Sequence, residues 1–108
     1  MEIILECLDD LEEQSFLLES PGLSVAPSGF MIGRATDCHL RLASSFVSRH
    51  HCELIPDENN GAVLVRDLGS QNGTYVNDEK IQKECSLRDG DRLTVACVPF
   101  EIHIGEDN

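Results

Sequence analysis

Three short segments of this chain carry the residue types that hold an anion. Asp67 to Asn77 reads D-L-G-S-Q-N-G-T-Y-V-N, crowding two glycines, two asparagines and two small hydroxyl residues between apolar runs. A loop of that composition displays backbone N–H groups and short polar side chains, which grip extended ligands or anions. Gly33-Arg34 follows an apolar run upstream, and Ser48-Arg49-His50-His51 lies between the two. Together they make a candidate phosphate clamp. Arg34 offers a rigid donor fork with a permanent charge. Ser48 offers a hydroxyl, and Arg49 a backbone N–H and a second cation. Charge-assisted hydrogen bonds contribute about 1.5–3 kcal/mol each. Three or four would supply most of a micromolar affinity, about 8 kcal/mol. Asn72 carries both a donor and an acceptor and can pair with a peptide backbone, fixing register without reading sequence.

Such groups converge only if stiff elements bring their loops to one place. Turn signals recur at Pro21-Gly22, Pro27-Ser28-Gly29, Pro56 to Gly61, Gly69 to Gly73, Asn77-Asp78 and Asp89-Gly90, with short Val-, Ile-, Leu- and Thr-rich runs between them. That spacing predicts an all-β sandwich or barrel. The expected strands are Ile3–Cys7, Ser15–Leu18, Phe30–Ile32, Leu40–Leu42, Cys52–Ile55, Ala62–Asp67, Thr74–Val76, Arg92–Val95 and Pro99–Ile104. Alternation puts Val63, Val65 and Asp67 on one face of their strand. An acidic turn at Asp9–Glu13 is expected between the first two strands.

Length and charge bound the rest. At 108 residues the chain is one small domain with a single core. Four Phe, one Tyr and no Trp leave that core to aliphatic residues and cysteine. A formal charge of −12 argues against nucleic-acid binding, because phosphate backbones would be repelled. The five cysteines are odd in number and lack C-x-x-C spacing, so a disulfide framework is not expected and a reducing, cytoplasmic setting is. The first residues lack the basic and apolar regions of a signal peptide, and no stretch approaches the ~20 apolar residues of a membrane helix. Gly105–Asn108 is expected to fray.

Apolar–Gly33–Arg34, then Ser48-x-x-His51, then Asp67–Asn77, then Leu87-x-x-Gly90-Asp91-x-Leu93, in this order and spacing, resembles the forkhead-associated (FHA) domain from Phe30 to Ile102. The resemblance implies a two-sheet antiparallel β-sandwich of about eleven strands, with its termini close together. It implies a phosphothreonine peptide as ligand, held by loops at one end. Arg34 and Ser48 then match the phosphate-binding arginine and serine. Asn72 matches the asparagine that bonds the ligand's main chain. Arg49 and Gln71 hold neighbouring positions that contact phosphate or adjacent backbone in many members. His51 matches a structural histidine that ties loops together, and Gly33, Gly69 and Gly73 match turn glycines. Gln71 and Asp78 depart from the commoner residues. The longer Gln71 side chain leaves a backbone contact as its role, and Asp78 tolerates the left-handed conformation its hairpin requires.

The expected activity is therefore recognition and not catalysis. The partner is a phosphothreonine-bearing protein made by a Ser/Thr kinase, bound by a monomer without cofactor, nucleic acid or membrane. A phosphorylation-independent scaffold using a sandwich face is the alternative. The flanking loops Ala43–Val47 and Ile81–Leu87 would set sequence preference, and the surrounding negative field would favour basic residues beside the phosphothreonine. The cluster Cys38, His39, His50, His51 and Cys52 contains enough soft ligands for zinc. Alternation turns Cys38 and Cys52 inward and His39 away from Cys38, so no metal is expected there.

Overall fold

Alternation of buried and exposed side chains, clearest in Glu2–Cys7, Thr74–Val76 and Arg92–Val95, assembles the strands into two layers. The computed structural model describes residues 2–8, 15–18 and 29–105. The strands are β1 (Glu2–Cys7), β2 (Ser15–Leu18), β3 (Phe30–Gly33), β4 (Leu40–Arg41), β5 (Cys52–Asp57), β6 (Ala62–Asp67), β7 (Thr74–Val76), β8 (Glu79–Lys80), β9 (Glu84–Leu87), β10 (Arg92–Val95) and β11 (Val98–Gly105). A single 3-10 turn, Glu58–Asn60, joins β5 to β6. One sheet has the order β2-β1-β11-β10-β7-β8 and the other β4-β3-β5-β6-β9. No helix among the described residues is long and apolar enough to cross a membrane.

The core lies between the sheets. Ile3, Leu5, Leu93, Val95, Phe100 and Ile102 from the first meet Ile32, Leu54, Val63, Val65 and Leu87 from the second, all fully buried. Phe100 is the one phenylalanine wholly inside among the described residues, as the aromatic-poor composition requires. β1 pairs along its whole length with β11, from Glu2↔Gly105 to Cys7↔Phe100, which places the two ends of the described chain side by side.

Four expectations need correction. The sandwich is not wholly antiparallel: β3 and β4 run parallel through Ile32↔Leu40 and Gly33↔Arg41. Only two residues pair, so the loop between them can bulge outward and return alongside β3, where Leu42 N donates to Gly33 O at 2.8 Å. Ile81–Leu87 is not all loop, because Glu84–Leu87 forms β9 on the edge of β6. Its period-two pattern is short and carried inward only by Cys85 and Leu87. β8, a two-residue strand, was not expected either; it pairs with β7 across a tight turn where Asn77 and Asp78 take φ of 50° and 70°, the left-handed geometry of a two-residue hairpin. Gly105 is strand and not tail. The acidic turn at Asp9–Glu13, the turn signals at Pro21-Gly22 and Pro27-Ser28, and residues 106–108 lie outside the described residues.

Candidate functional site

β3 delivers Arg34 to one end of the sandwich, and Gly33 makes its placement possible. A Cβ at Gly33 would sit 2.1 Å from the Arg49 carbonyl oxygen, so only glycine lets the two segments run so close. Beyond the sheet, Arg34 N donates to Ser48 O at 3.0 Å and Ala35 N to Arg49 O at 3.1 Å. The loops bearing Arg34 and Ser48 are thus zipped side by side. The Arg34 side chain is pinned as well: Nε donates to Val47 O at 3.0 Å. Arg41 Nε donates to Arg34 O at 3.0 Å and braces the same residue from behind. Val47, expected in a variable loop, is instead buried in the core and anchors the segment. Burying a valine contributes about 1.5–3 kcal/mol.

The third segment is built around Asp67, whose role sequence reasoning missed. Its carboxylate accepts from Gly69 N and Ser70 N at 3.0 Å each, from Thr74 Oγ1 at 2.7 Å, and from the Ser70 hydroxyl. Ser70 Oγ in turn accepts from Gly73 N at 3.1 Å. Asp67 folds its own loop into an Asx-type turn, with Gly69 at φ +79°. Burial alone would raise the Asp67 pKa; the hydrogen bonds from Ser70, Thr74 and the Gly69 amide outweigh it and hold the carboxyl below its ordinary value. The D-x-G-S spacing was the available signal. It was hidden because Asp67 also continues the inward face of β6.

That turn carries Gln71 and Asn72 to the other two loops. Gln71 N donates to Ser48 Oγ at 3.1 Å, so the Gln71 amide orients the serine hydroxyl and its side chain stays exposed. Asn72 Nδ2 donates to Phe46 O at 2.7 Å. One N–H and the Oδ1 acceptor of Asn72 remain for another group.

His51 joins all three segments from beneath. It is fully buried. Its Nδ1 accepts from Ser48 N at 3.1 Å, and its Nε2 bonds Gly73 O at 2.8 Å. A backbone N–H can only donate, so Nδ1 is the acceptor and Nε2 carries the hydrogen. Its own backbone N bonds Ile32 O and its carbonyl accepts from Leu68 N.

Arg34, Ser48, Arg49, Gln71 and Asn72 therefore stand at one pole, with Gly33, His51, Gly69 and Gly73 supporting them. The outer guanidinium nitrogens of Arg34, the whole Arg49 guanidinium and the Arg49 amide have no hydrogen-bond partner among the described residues. Donors of this kind are matched by groups with several acceptor oxygens and negative charge.

The soft-ligand cluster separates in part: His39, His51 and Cys52 are engaged elsewhere, while Cys38 and His50 stay together. His39 stacks on Phe30 at 5.3 Å between ring centroids and accepts from Met31 N at 3.0 Å. Cys52 is fully buried, and burial first, then Asp67, push its thiol up to about 12. Cys38 is half-buried and not a core residue as expected; its Sγ donates to Arg49 O at 3.2 Å. Burial and then Asp37 raise its pKa too. Cys85 is also half-buried, and Cys97 is exposed. His50 pairs with Asp37 at 2.9 Å. Among the described residues, Asp37, Cys38 and His50 are the group that could hold a cation, their ligand atoms lying within 4.8 Å of one another. Asp37 was not among the residues considered from sequence.

The FHA domain family model matches residues 30–96. The transcriptional regulatory protein EmbR of Mycobacterium tuberculosis is 32% identical over 83 residues, which is 77% of this chain and 21% of EmbR. The chain thus spans about a fifth of that relative's length. A structure from a structural and functional analysis of phosphothreonine-dependent FHA domain interactions superposes with a TM-score of 0.80 at 29% identity, covering 99% of this chain and 100% of that one. M. tuberculosis EmbR in complex with a low-affinity phosphopeptide superposes with a TM-score of 0.81 at 25% identity, over 99% of this chain and 25% of that one.

Proposed function

The chain belongs to the FHA domain family, and on that premise we propose that it is a non-catalytic module that binds phosphothreonine-containing protein segments. It would dock onto a target only after a Ser/Thr kinase has acted, because the added phosphate supplies the charge and oxygens that the pole is built to meet. One observation carries the reading. A guanidinium, a hydroxyl and a carboxamide from three separated segments are fixed at one pole by bonds of 3.0 Å (Arg34 to Val47), 3.1 Å (Gln71 to Ser48) and 2.7 Å (Asn72 to Phe46), with donor capacity left over.

In this reading Arg34, Ser48 and Arg49 hold the phosphate, and Asn72 the peptide main chain beside it. Gln71 acts chiefly through Ser48. Gly33, His51, Gly69 and Gly73 hold the loops in place. The motif-bearing part and the flanking strands β1 and β11 form one domain. The raised thiols of Cys38 and Cys52 disfavour thiolate chemistry, and five free cysteines suit an intracellular, reducing setting.

Fluorescence anisotropy with an oriented phosphothreonine peptide library tests this. The wild-type domain is expected to bind a subset at micromolar Kd and to ignore the unphosphorylated peptides. Arg34→Ala is expected to weaken binding about 100-fold, the loss of roughly two charged hydrogen bonds, with its unfolding transition kept. Normal binding by Arg34→Ala would falsify the assignment.

A further inference from the structure

Three side chains of different chemistry meet beside the phosphate pole, and phosphopeptide binding does not use them. Asp37, Cys38 and His50 bring a carboxylate oxygen, a thiol sulfur and an imidazole nitrogen within 4.8 Å of one another. They come from the two segments that carry Arg34 and Ser48. Asp37 and Cys38 follow Arg34 by three and four residues, and His50 follows Ser48 by two. With Cys38 half-buried and outside the core, the ground for expecting no metal here falls away.

Backbone bonds fix the approach. Arg34 N on Ser48 O and Ala35 N on Arg49 O hold the segments edge to edge, and Cys38 N donates to Ala35 O at 3.2 Å, closing a turn. A Cβ at Gly33 would stand 3.0 Å from Cys38 Sγ, so the missing side chain leaves the thiol its place. His50 Nε2 lies 2.9 and 3.1 Å from the two Asp37 oxygens. The two side chains are 47% and 70% exposed, and an ion pair so exposed contributes little to stability. The thiol beside it makes another use available.

We propose that Asp37, Cys38 and His50 bind one zinc ion, which clips the β3–β4 loop to the segment after Ser48 whatever ligand the pole takes. Thiolate, imidazole and carboxylate are the donor types zinc accepts, whereas magnesium and calcium want oxygen. With bonds of about 2.0–2.3 Å, ligands around a tetrahedral zinc stand about 3.3–3.8 Å apart. His50 and Asp37 therefore part by a few tenths of an ångström, and the wider distances close by up to about 1 Å. Water takes the fourth position.

The thiol exchanges its proton for the metal. Burial and then Asp37 hold the Cys38 thiol above its ordinary pKa without metal, but a coordinating thiol is deprotonated outright by the ion's own charge. One proton leaves to solvent for each zinc bound. The Arg49 carbonyl loses the Sγ–H donor and keeps Ala35 N at 3.1 Å. One carboxylate and one thiolate neutralise the ion, and the formal charge of −12 draws cations to the chain.

Cobalt, which takes the same tetrahedral sites and is coloured, tests this on reduced protein stripped with a chelator. Wild type is expected to take up one equivalent at a Kd of about 1–10 μM, with a near-ultraviolet thiolate-to-cobalt band that one equivalent of zinc removes. Cys38→Ser should lose the band, and Cys97→Ser, at the exposed cysteine, should keep it. His50→Gln should weaken uptake at least about tenfold; its exposed position keeps the test valid even if Cys38→Ser unfolds. Zinc should raise the thermal midpoint of wild type and not of Cys38→Ser. A wild type without the one-equivalent band overturns the inference, as does a band that survives Cys38→Ser or uptake unchanged in His50→Gln.

Discussion

The two poles of the sandwich use the same turn residues to opposite ends. At the pole away from the site, polar side chains are consumed locally. Asp91 Oδ2 accepts from Arg88 N at 2.7 Å, Arg88 Nη1 donates to Asn60 O at 3.2 Å, and Asn60 Nδ2 donates to Asp57 Oδ2 at 2.7 Å. Asn77 spans the β7–β8 turn and β10, giving Nδ2 to Asp91 at 3.1 Å and taking Arg92 N at 2.9 Å. Every one of these groups closes a turn or ties two turns together. At the site pole, Asp67 and His51 do the same work, and that frees Arg34, Arg49, Ser48 and Asn72 to keep donors for something else. A binding surface here is what remains after a few buried groups have satisfied the loop backbones.

If that contrast is right, substitutions of the groups that hold the loops of the site pole should cost both binding and stability, and those at the far pole stability alone. Gly33→Ala is the harshest test. The added methyl must displace the Arg49 carbonyl, so phosphopeptide binding should fall at least about 100-fold and stability by about 3 kcal/mol, the scale of an overpacked core position, read by anisotropy and urea unfolding. His51→Ala comes next, because it leaves a buried cavity and orphans the Ser48 amide and Gly73 carbonyl. A loss of about 3 kcal/mol in urea unfolding is expected, with weaker binding as Ser48 loosens.

Asp67→Asn should cost about 2 kcal/mol, since a charged acceptor of several hydrogen bonds becomes a neutral one. Asp67 also gives a pH signature. Its folded-state pKa lies below its ordinary value of 3.8, so the unfolded chain binds its proton first. Its contribution is fully present above that ordinary value and is lost as pH falls through the depressed one. Acid unfolding of the wild type should therefore be steeper below about pH 4 than that of Asp67→Asn; superimposable curves would remove Asp67 as the organiser. The smallest effect belongs to the far pole. Asn77→Ala should cost about 1 kcal/mol and leave phosphopeptide affinity unchanged, and a parallel loss of affinity would erase the distinction between the poles.

Much of this was legible in the residues. Val63 and Val65, which alternation puts on one face of Ala62–Asp67, are buried together as expected. Arg34, Ser48 and Asn72 are each separated by more than a dozen residues, yet each follows or precedes a strand whose direction could be reasoned out, and all three reach one pole. What was hidden depends on contacts distant in sequence. β9 has a weak pattern of its own and is defined by pairing with β6. Cys38 alternates with Leu40 on paper, but β4 begins only at Leu40, so Cys38 answers to the Arg49 carbonyl. Ala43–Val47 reads as one loop, although Val47 is core and Phe46 faces outward; the segment is a turn closed by Val47 N on Ser44 O at 3.0 Å, and only the packing says which of its side chains goes inward. Asp67 carried two meanings at once, strand face and turn former, and the first concealed the second.

The hydrogen on His51 has a practical use. Since Nδ1 receives the Ser48 amide and Nε2 holds the proton against Gly73, this ring should be locked as a single neutral tautomer and shielded from solvent exchange. Its imidazole N–H would give a persistent downfield NMR line, one pyrrole-type and one pyridine-type nitrogen, that fades when any of the three loops lets go. A single resonance then reports whether the pole is assembled, with no ligand added.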